Sequence, residues 1–464
     1  MNAASIAHRR APGALLVAAL TLMSACSGDS GAGPAPSDGL RFRSLAAAGQ
    51  TACGVATDGG VRCWGANDGQ LLGRGSAAGT DDPVPTPIAG VGEGGSVSLN
   101  PAASLACAVE APSGDVYCWG YTPFASTDRP TKVAGLSGIA AIAAGGSQVS
   151  TAFACGAMIS GEVACFGGDG AENVSDGTGS GQLGTGIEPQ GPFRYPPRPI
   201  LGGFAFRSVV AGERHACGLT PAGAAYCWGS NRASQLGAEA PTGECRTRTG
   251  SRFFDTWPCS GTPVPVAGGL AFQRLSAGLR VTCGLAADGV GYCWGAGMGA
   301  TPTRVLDGAA LRDIAVSAEG RYCVVTTAGR VTCVGRNDRG QGGDAEPAAG
   351  VHRLGSTLDF ARLAVADDFT CGLTTGGEAW CWGSDARGSS ASRPRPCRAP
   401  SRRRRAACSR AGWMRLVAGD LTSPGTGRAG GGASPGSPPP ACRMAPPNVH
   451  CEEGDTTLAE AGLT

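Results

Sequence analysis

The sequence predicts an all-β chain built from propeller blades or solenoid units, and three observations predict it. One cysteine-bracketed phrase recurs seven times, each copy reads as a β-hairpin, and helical periodicity is absent from the body of the chain. The plainest copies run from Cys53-Gly54-Val55 to Cys63-Trp64-Gly65, from Cys217-Gly218-Leu219 to Cys227-Trp228-Gly229, from Cys283-Gly284-Leu285 to Cys293-Trp294-Gly295, and from Cys371-Gly372-Leu373 to Cys381-Trp382-Gly383. Weaker copies lie between them, from Cys107 to Cys118-Trp119-Gly120, Cys155-Gly156 to Cys165-Phe166-Gly167, and Cys323 to Cys333-Val334-Gly335. The first cysteines are separated by 54, 48, 62, 66, 40 and 48 residues, a period that fits blades or solenoid units.

Each element of the repeat follows from local chemistry. Apolar and polar residues alternate on both sides of a Gly-containing turn, as in Ala52-Cys53-Gly54-Val55 and Gly60-Val61-Arg62-Cys63, which specifies a hairpin. Upstream, phrases such as Phe206-Arg207-Ser208-Val209-Val210-Ala211-Gly212 supply a further short strand. Downstream come a Gly-rich turn and a Pro-rich link, as in Ser234-Gln235-Leu236-Gly237 leading to Pro263-Val264-Pro265. The order is strand, hairpin, Gly loop, strand.

At these residues the chain resembles the regulator of chromosome condensation repeat family over about residues 40–383. The strongest piece is Ala211-Gly212-Glu213-Arg214-His215-Ala216-Cys217-Gly218-Leu219. Elsewhere the histidine is replaced, as by Val281, and the Asn-x-x-Gly-Gln-Leu-Gly phrase decays in the second, fifth and seventh copies. The resemblance implies a seven-bladed β-propeller of four-stranded antiparallel sheets. It also implies that N-terminal residues 40–47 can lend a strand to close the ring.

Paired cysteines stand ten residues apart in six copies and eleven in the second. Ten residues around an odd-numbered loop places Cys53 opposite Cys63, with Cα atoms about 4.5 to 5.5 Å apart, a range that disulfides accept. Zinc knuckles favour pairs two to four apart, which no copy has. Disulfides are therefore expected at Cys53–Cys63, Cys107–Cys118, Cys155–Cys165, Cys217–Cys227, Cys283–Cys293, Cys323–Cys333 and Cys371–Cys381, each adding about 2 to 3 kcal/mol by loop entropy. Cys245 and Cys259, in an insertion of the fourth repeat, can close an eighth loop.

Twenty-one cysteines suit an oxidising compartment, and the N-terminus agrees. His8, Arg9 and Arg10 precede an apolar run over 11–23 that is too short to span a membrane. The run ends at Leu22-Met23-Ser24-Ala25-Cys26, which resembles the bacterial lipoprotein signal, with Cys26 the lipidated mature N-terminus. Met23 departs from the usual Leu, and an ordinary cleaved signal is the alternative. The reading is thus a signal over 1–26, a Gly/Ser/Pro-rich tether over 27–39, the repeats over 40–383, and an irregular tail over 384–464. That tail holds 12 Arg against 6 acids. It reads as a basic arm, as disordered sequence, or as the product of a coding-frame error.

With 38 Lys and Arg against 36 Asp and Glu, and Lys132 the only lysine, nothing marks a nucleic-acid binder. No Gly-x-Ser-x-Gly, His-Glu-x-x-His, phosphate-loop or dense acidic calcium motif occurs, so no enzyme, cofactor or metal is expected. The repeated Trp64, Trp119, Trp228, Trp294 and Trp382, with Phe166 and Val334 substituting, read as inter-blade core. His215 reads as structural, because no nucleophile or carboxylate motif accompanies it. The exception is the insertion, where Arg252, Phe253, Phe254 and Trp257 lie between Cys245 and Cys259. They form either a partner-binding patch facing solvent or a loop folded onto its own blade. The expectation is a monomeric, exported scaffold, lipid-anchored or secreted, that binds a protein or glycan at the cell envelope. The family resemblance keeps a guanine-nucleotide-exchange regulator as an alternative, beside a secreted enzyme or enzyme inhibitor.

Overall fold

The computed structural model describes residues 39–384, apart from 125, 148–150, 170–178, 188–194, 239–242, 249–253, 307 and 345–348, together with 387 and 414–415. Seven antiparallel sheets form a β-propeller, with no helix among the described residues. Blade 1 lays Phe42–Ala48, Thr51–Ala56, Val61–Gly65 and Asp82–Pro87 side by side in chain order. Blades 2, 3, 5 and 6 repeat this arrangement over 94–132, 139–199, 272–305 and 311–353. Blade 4, over 208–265, has a fifth strand, because Gly243–Arg248 folds back on Phe254–Pro265.

The first strand of each blade lines the central channel, with Ala46, Ser98, Ala143, Ala211, Ser276 and Ala364 among the lining residues. The second strand lies between neighbouring blades, so Thr51–Ala56 is buried on both faces and cannot alternate with polar residues. Outermost strands carry the prolines, as in Asp82–Pro87 and Tyr195–Pro199, where an edge tolerates a missing N–H.

The cysteines pair as their spacing predicts, directly across each hairpin. The seven hairpin disulfides have Cα separations of 4.0 to 4.1 Å. These lie below the expected range for a physical reason. The Ala56 N–H donates to the Gly60 carbonyl at 2.9 Å, so two-residue alternation makes Cys53 and Cys63 a non-hydrogen-bonded pair, the closer kind. The second hairpin absorbs its extra residue in the turn between Glu110 and Asp115. Cys245–Cys259 also forms, with Cα atoms 5.7 Å apart.

The glycine after each Trp position has a positive φ in all seven blades, from 87° at Gly120 to 125° at Gly335. A Cβ at Gly65 would stand 2.3 Å from the Gln50 carbonyl, so the chain turns here only without a side chain.

Each seam between blades has its own hydrophobic cluster, centred on the Trp position of the following blade. Trp119 packs with Val55, Val61 and Leu71 of blade 1, and Trp294 with Leu219, Leu236 and Val264 of blade 4. Trp64 packs with Phe369, Leu373 and Ala379 of blade 7, which closes the ring. Indole N–H groups clasp the seams as well. Trp119 donates to the Leu71 carbonyl at 2.7 Å, Trp228 to Gln182 at 2.9 Å, Trp294 to Gln235 at 2.9 Å and Trp382 to Gln341 at 3.1 Å. These acceptors all belong to the Gly-rich loop of the preceding blade. Trp64 is equally buried, yet its Nε1 meets no acceptor among the described residues. Its preceding blade is the seventh, where that loop phrase has decayed.

Ring closure differs from the expected strand overlap. Phe42–Ala48 pairs with Thr51–Ala56 as the innermost strand of blade 1, and it meets blade 7 through the Phe42 N–H, which donates to the Gly377 carbonyl at 2.7 Å, and through the packing of Phe42 with Phe369 and Leu373. Blade 7 takes its fourth strand from the tail, as Met414 and Arg415 pair with Cys381 and Trp380. Arg387 grips both Asp68 and Asp81 of blade 1. The rest of 384–464, like Cys26 and the tether, lies outside the described residues.

Candidate functional site

The insertion of blade 4 is a two-stranded extension in which Cys245 stands opposite Trp257. Trp257 is 4% exposed and packs on the Cys245–Cys259 disulfide and Ile187. The Arg232 guanidinium lies 5.7 Å above its ring and holds the Asp255 carboxylate at 2.7 Å. The solvent-facing reading therefore fails for Trp257, which fastens the insertion to the protein. Burial of about this much aromatic surface, with a disulfide beside it, outweighs exposure to water. Phe254 contributes backbone to the strand opposite Arg248. Arg252 and Phe253 lie outside the described residues.

Beside Trp257, between blades 4 and 5, opens a cavity of about 350 Å³. Turns that connect the first and second strands bring Glu213 and Arg214 from blade 4 and Arg280 from blade 5. The loop after Ala225–Ser230 brings Arg232 and Gln235. Glu213 is held from two sides, by the Ser147 hydroxyl at 2.8 Å and by Arg280 Nε at 3.2 Å. Sequence reasoning had no signal for this convergence, since its parts come from separate repeats.

His215 lies beneath the same seam and is fully buried. Its Nε2 is 2.9 Å from Thr282 Oγ1, and that hydroxyl donates to the Gln235 carbonyl at 3.0 Å. The one Thr282 hydrogen is thus committed, so Nε2 carries the imidazole hydrogen and donates to Thr282. Nδ1 is left as a bare, buried acceptor. Burial pushes the His215 pKa down to about 3, which keeps the ring neutral. The ring also explains its neighbour, since a Cβ on Gly212 would stand 2.1 Å from the imidazole Cε1. In blade 6, Arg321 stands where His215 does. It reaches Thr370 Oγ1 at 3.0 Å, and that hydroxyl donates to the Gln341 carbonyl at 2.9 Å. His215 and Arg321 are equivalent bolts across two seams. No group of three or more His, Cys, Asp or Glu side chains that could hold a metal occurs among the described residues.

Residues 206–235 and 363–389 match the family model of the Regulator of chromosome condensation (RCC1) repeat. Those two stretches are similar to the RCC1 repeat. The matches fall on the hairpins of blades 4 and 7, whose Trp228 and Trp382 clasp the preceding blade. Among solved structures, that of Kap60 bound to yeast RCC1 (Prp20) is 17% identical, covers 71% of this chain and 79% of its own, and has a TM-score of 0.56. Prp20p from Saccharomyces cerevisiae, described with its binding to Gsp1p and histones, is 17% identical over 71% of this chain and 81% of its own, with a TM-score of 0.54. Human WBSCR16 is 16% identical over 70% of this chain and 89% of its own, also at 0.54. At these identities the likeness shows the propeller fold alone. No curated protein matches the sequence.

Proposed function

We propose that this chain is an exported, non-enzymatic scaffold that engages a protein or glycan at the cell envelope through loops on a propeller face, with Cys26 as its lipid-bearing anchor. The observation that carries the reading is the set of eight buried disulfides, one in each blade hairpin and one in the insertion. A chain whose every blade is stapled suits an oxidising compartment. The Leu22–Cys26 phrase supports anchoring, and loops gathered at the ends of a rigid ring are a common way to present a binding surface. Binding of Gsp1p and histones belongs to the yeast protein. The same disulfides weigh against carrying a guanine-nucleotide-exchange role over to this chain, because such partners work where thiols stay reduced.

Fractionating a bacterial host that expresses the full chain, with metabolic fatty-acid labelling, tests the reading. The expected result is a labelled, detergent-released membrane protein that Cys26→Ser converts to an unlabelled form. Recovery of the full-length chain from the cytosol with reduced thiols would overturn it.

A further inference from the structure

We infer that the hairpin-turn side of blades 6, 7 and 1 is a docking surface for an anionic lipid bilayer, which turns the Gly-rich loops outward. The inference rests on the reading of Cys26 as a lipid anchor and adds an electrostatic contact to it. The point where the chain enters the ring selects the side. The Thr57 N–H donates to the Arg41 carbonyl at 2.8 Å, and the Arg41 guanidinium donates to the Gly376 carbonyl. Thr57 and Gly376 belong to the hairpin turns of blades 1 and 7, so the chain leads back toward Cys26 from the turn side. A Gly/Ser/Pro-rich tether over 27–39 spans about 20 Å on average. The loop side lies a strand's length further off, again about 20 Å. An anchor so tethered holds the turn side against the bilayer.

The charge at that place is complementary to anionic headgroups. Its carboxylates are mostly taken: Asp58 pairs with Arg62, Glu93 with Arg43 at 3.5 Å and Asp359 with Arg312 at 2.7 Å, while the buried Asp313 is held by Arg274 at 3.0 Å. Arg41 and Arg330 are exposed, and their printed partners are backbone carbonyls, of Gly376 and Ser356, which leave the charge unneutralised. Arg353, at the turn-side end of the outermost strand of blade 6, is exposed and pairs with no carboxylate among the described residues. Arg362, half exposed, comes no nearer than 3.9 Å to Asp313. Against these four guanidinium groups stands Glu378, which accepts from the Trp380 indole at 3.4 Å. One acyl chain alone binds a bilayer only marginally and needs a second signal. Each basic residue near an anionic surface adds about fivefold in affinity.

The test uses the full chain carrying Cys26→Ser, oxidised and free of lipid, with vesicles of phosphatidylglycerol and phosphatidylcholine or of phosphatidylcholine alone. Phenylglyoxal labelling read by mass spectrometry maps the arginines that the vesicles cover. Anionic vesicles should protect Arg41, Arg330 and Arg362 and leave Arg280 and Arg336, on the loop side, reactive; neutral vesicles should protect none. Arg41→Gln, Arg330→Gln and Arg362→Gln together should weaken co-sedimentation with anionic vesicles more than tenfold, and added salt should weaken it in the parent. Lys at the same three positions keeps the charge and should keep the binding, which guards against a loss caused by misfolding. Protection of the loop-side arginines, protection of none, or a loss of binding on Arg402→Gln through Arg405→Gln with none in the triple variant would overturn the proposal. Because the probe lacks Cys26, these outcomes leave the acylation reading to its own measurement.

Discussion

Lowering the pH from 7.5 to 4.5 loads the seam between blades 4 and 5, because His215 is buried there as a neutral ring. Its pKa is pushed from 6.5 in the unfolded chain to about 3 in the folded one. Below pH 6.5 the unfolded state binds a proton that the folded state refuses, so stability is present above that pH and is lost as pH falls toward 3. Each pH unit inside the window is worth about 1.4 kcal/mol, which makes the loss at pH 4.5 about 2 to 3 kcal/mol. The structure supplies a control. Phe153 and Phe369 stand two residues before the first hairpin cysteine in blades 3 and 7, as His215 does in blade 4, so His215→Phe has steric precedent within the chain. Urea unfolding followed by circular dichroism at pH 7.5 and 4.5 reads the effect. The parent should lose about 2 to 3 kcal/mol more than His215→Phe over that interval. Equal losses in the two proteins would refute the buried neutral histidine, since carboxylate titrations common to both cancel in the comparison.

Trp294→Phe should cost about 1 kcal/mol more than Trp64→Phe, because Trp294 forfeits its bond to the Gln235 carbonyl whereas Trp64 Nε1 has no acceptor to lose. Comparison of thermal midpoints checks the order of the two. Truncation after Gly383 should lower the midpoint, since it removes the Met414–Arg415 pairing with blade 7 and the Arg387 contacts to Asp68 and Asp81. Arg387→Ala alone, removing ion pairs of a partly exposed side chain, should change stability by less than about 1 kcal/mol.

The hairpins were legible because their chemistry is local. A cysteine ten residues from its partner and a Trp-Gly pair carry both the strand register and the turn within one phrase. The Gly-rich loops were legible as turns, but their role was not, since in four of them a loop carbonyl meets an indole from the next blade, 41 to 59 residues away. Phe254–Pro265 reads as loop because it holds Pro258, Pro263 and Pro265, and these are admitted because the strand there is paired on one side only, Pro258 facing Glu244 and Pro265 facing Tyr226. Whether Trp257 faces solvent or its own blade stayed open in the sequence for a similar reason. Its cover comes from Ile187 in the preceding blade and from Arg232 across the hairpin, and no spacing within the insertion announces either. The tail's two-residue strand is too short for any periodicity to mark.

Peptide mapping under non-reducing conditions, on protein recovered from the envelope fraction, tests most directly the claim that every blade is a disulfide-stapled hairpin folded in an oxidising compartment. The account predicts eight linked peptide pairs, Cys53 with Cys63 through Cys371 with Cys381 within single blades, and Cys245 with Cys259 in the insertion. Free thiols at most of these positions, or bridges between cysteines of different blades, would contradict both the strand register and the compartment.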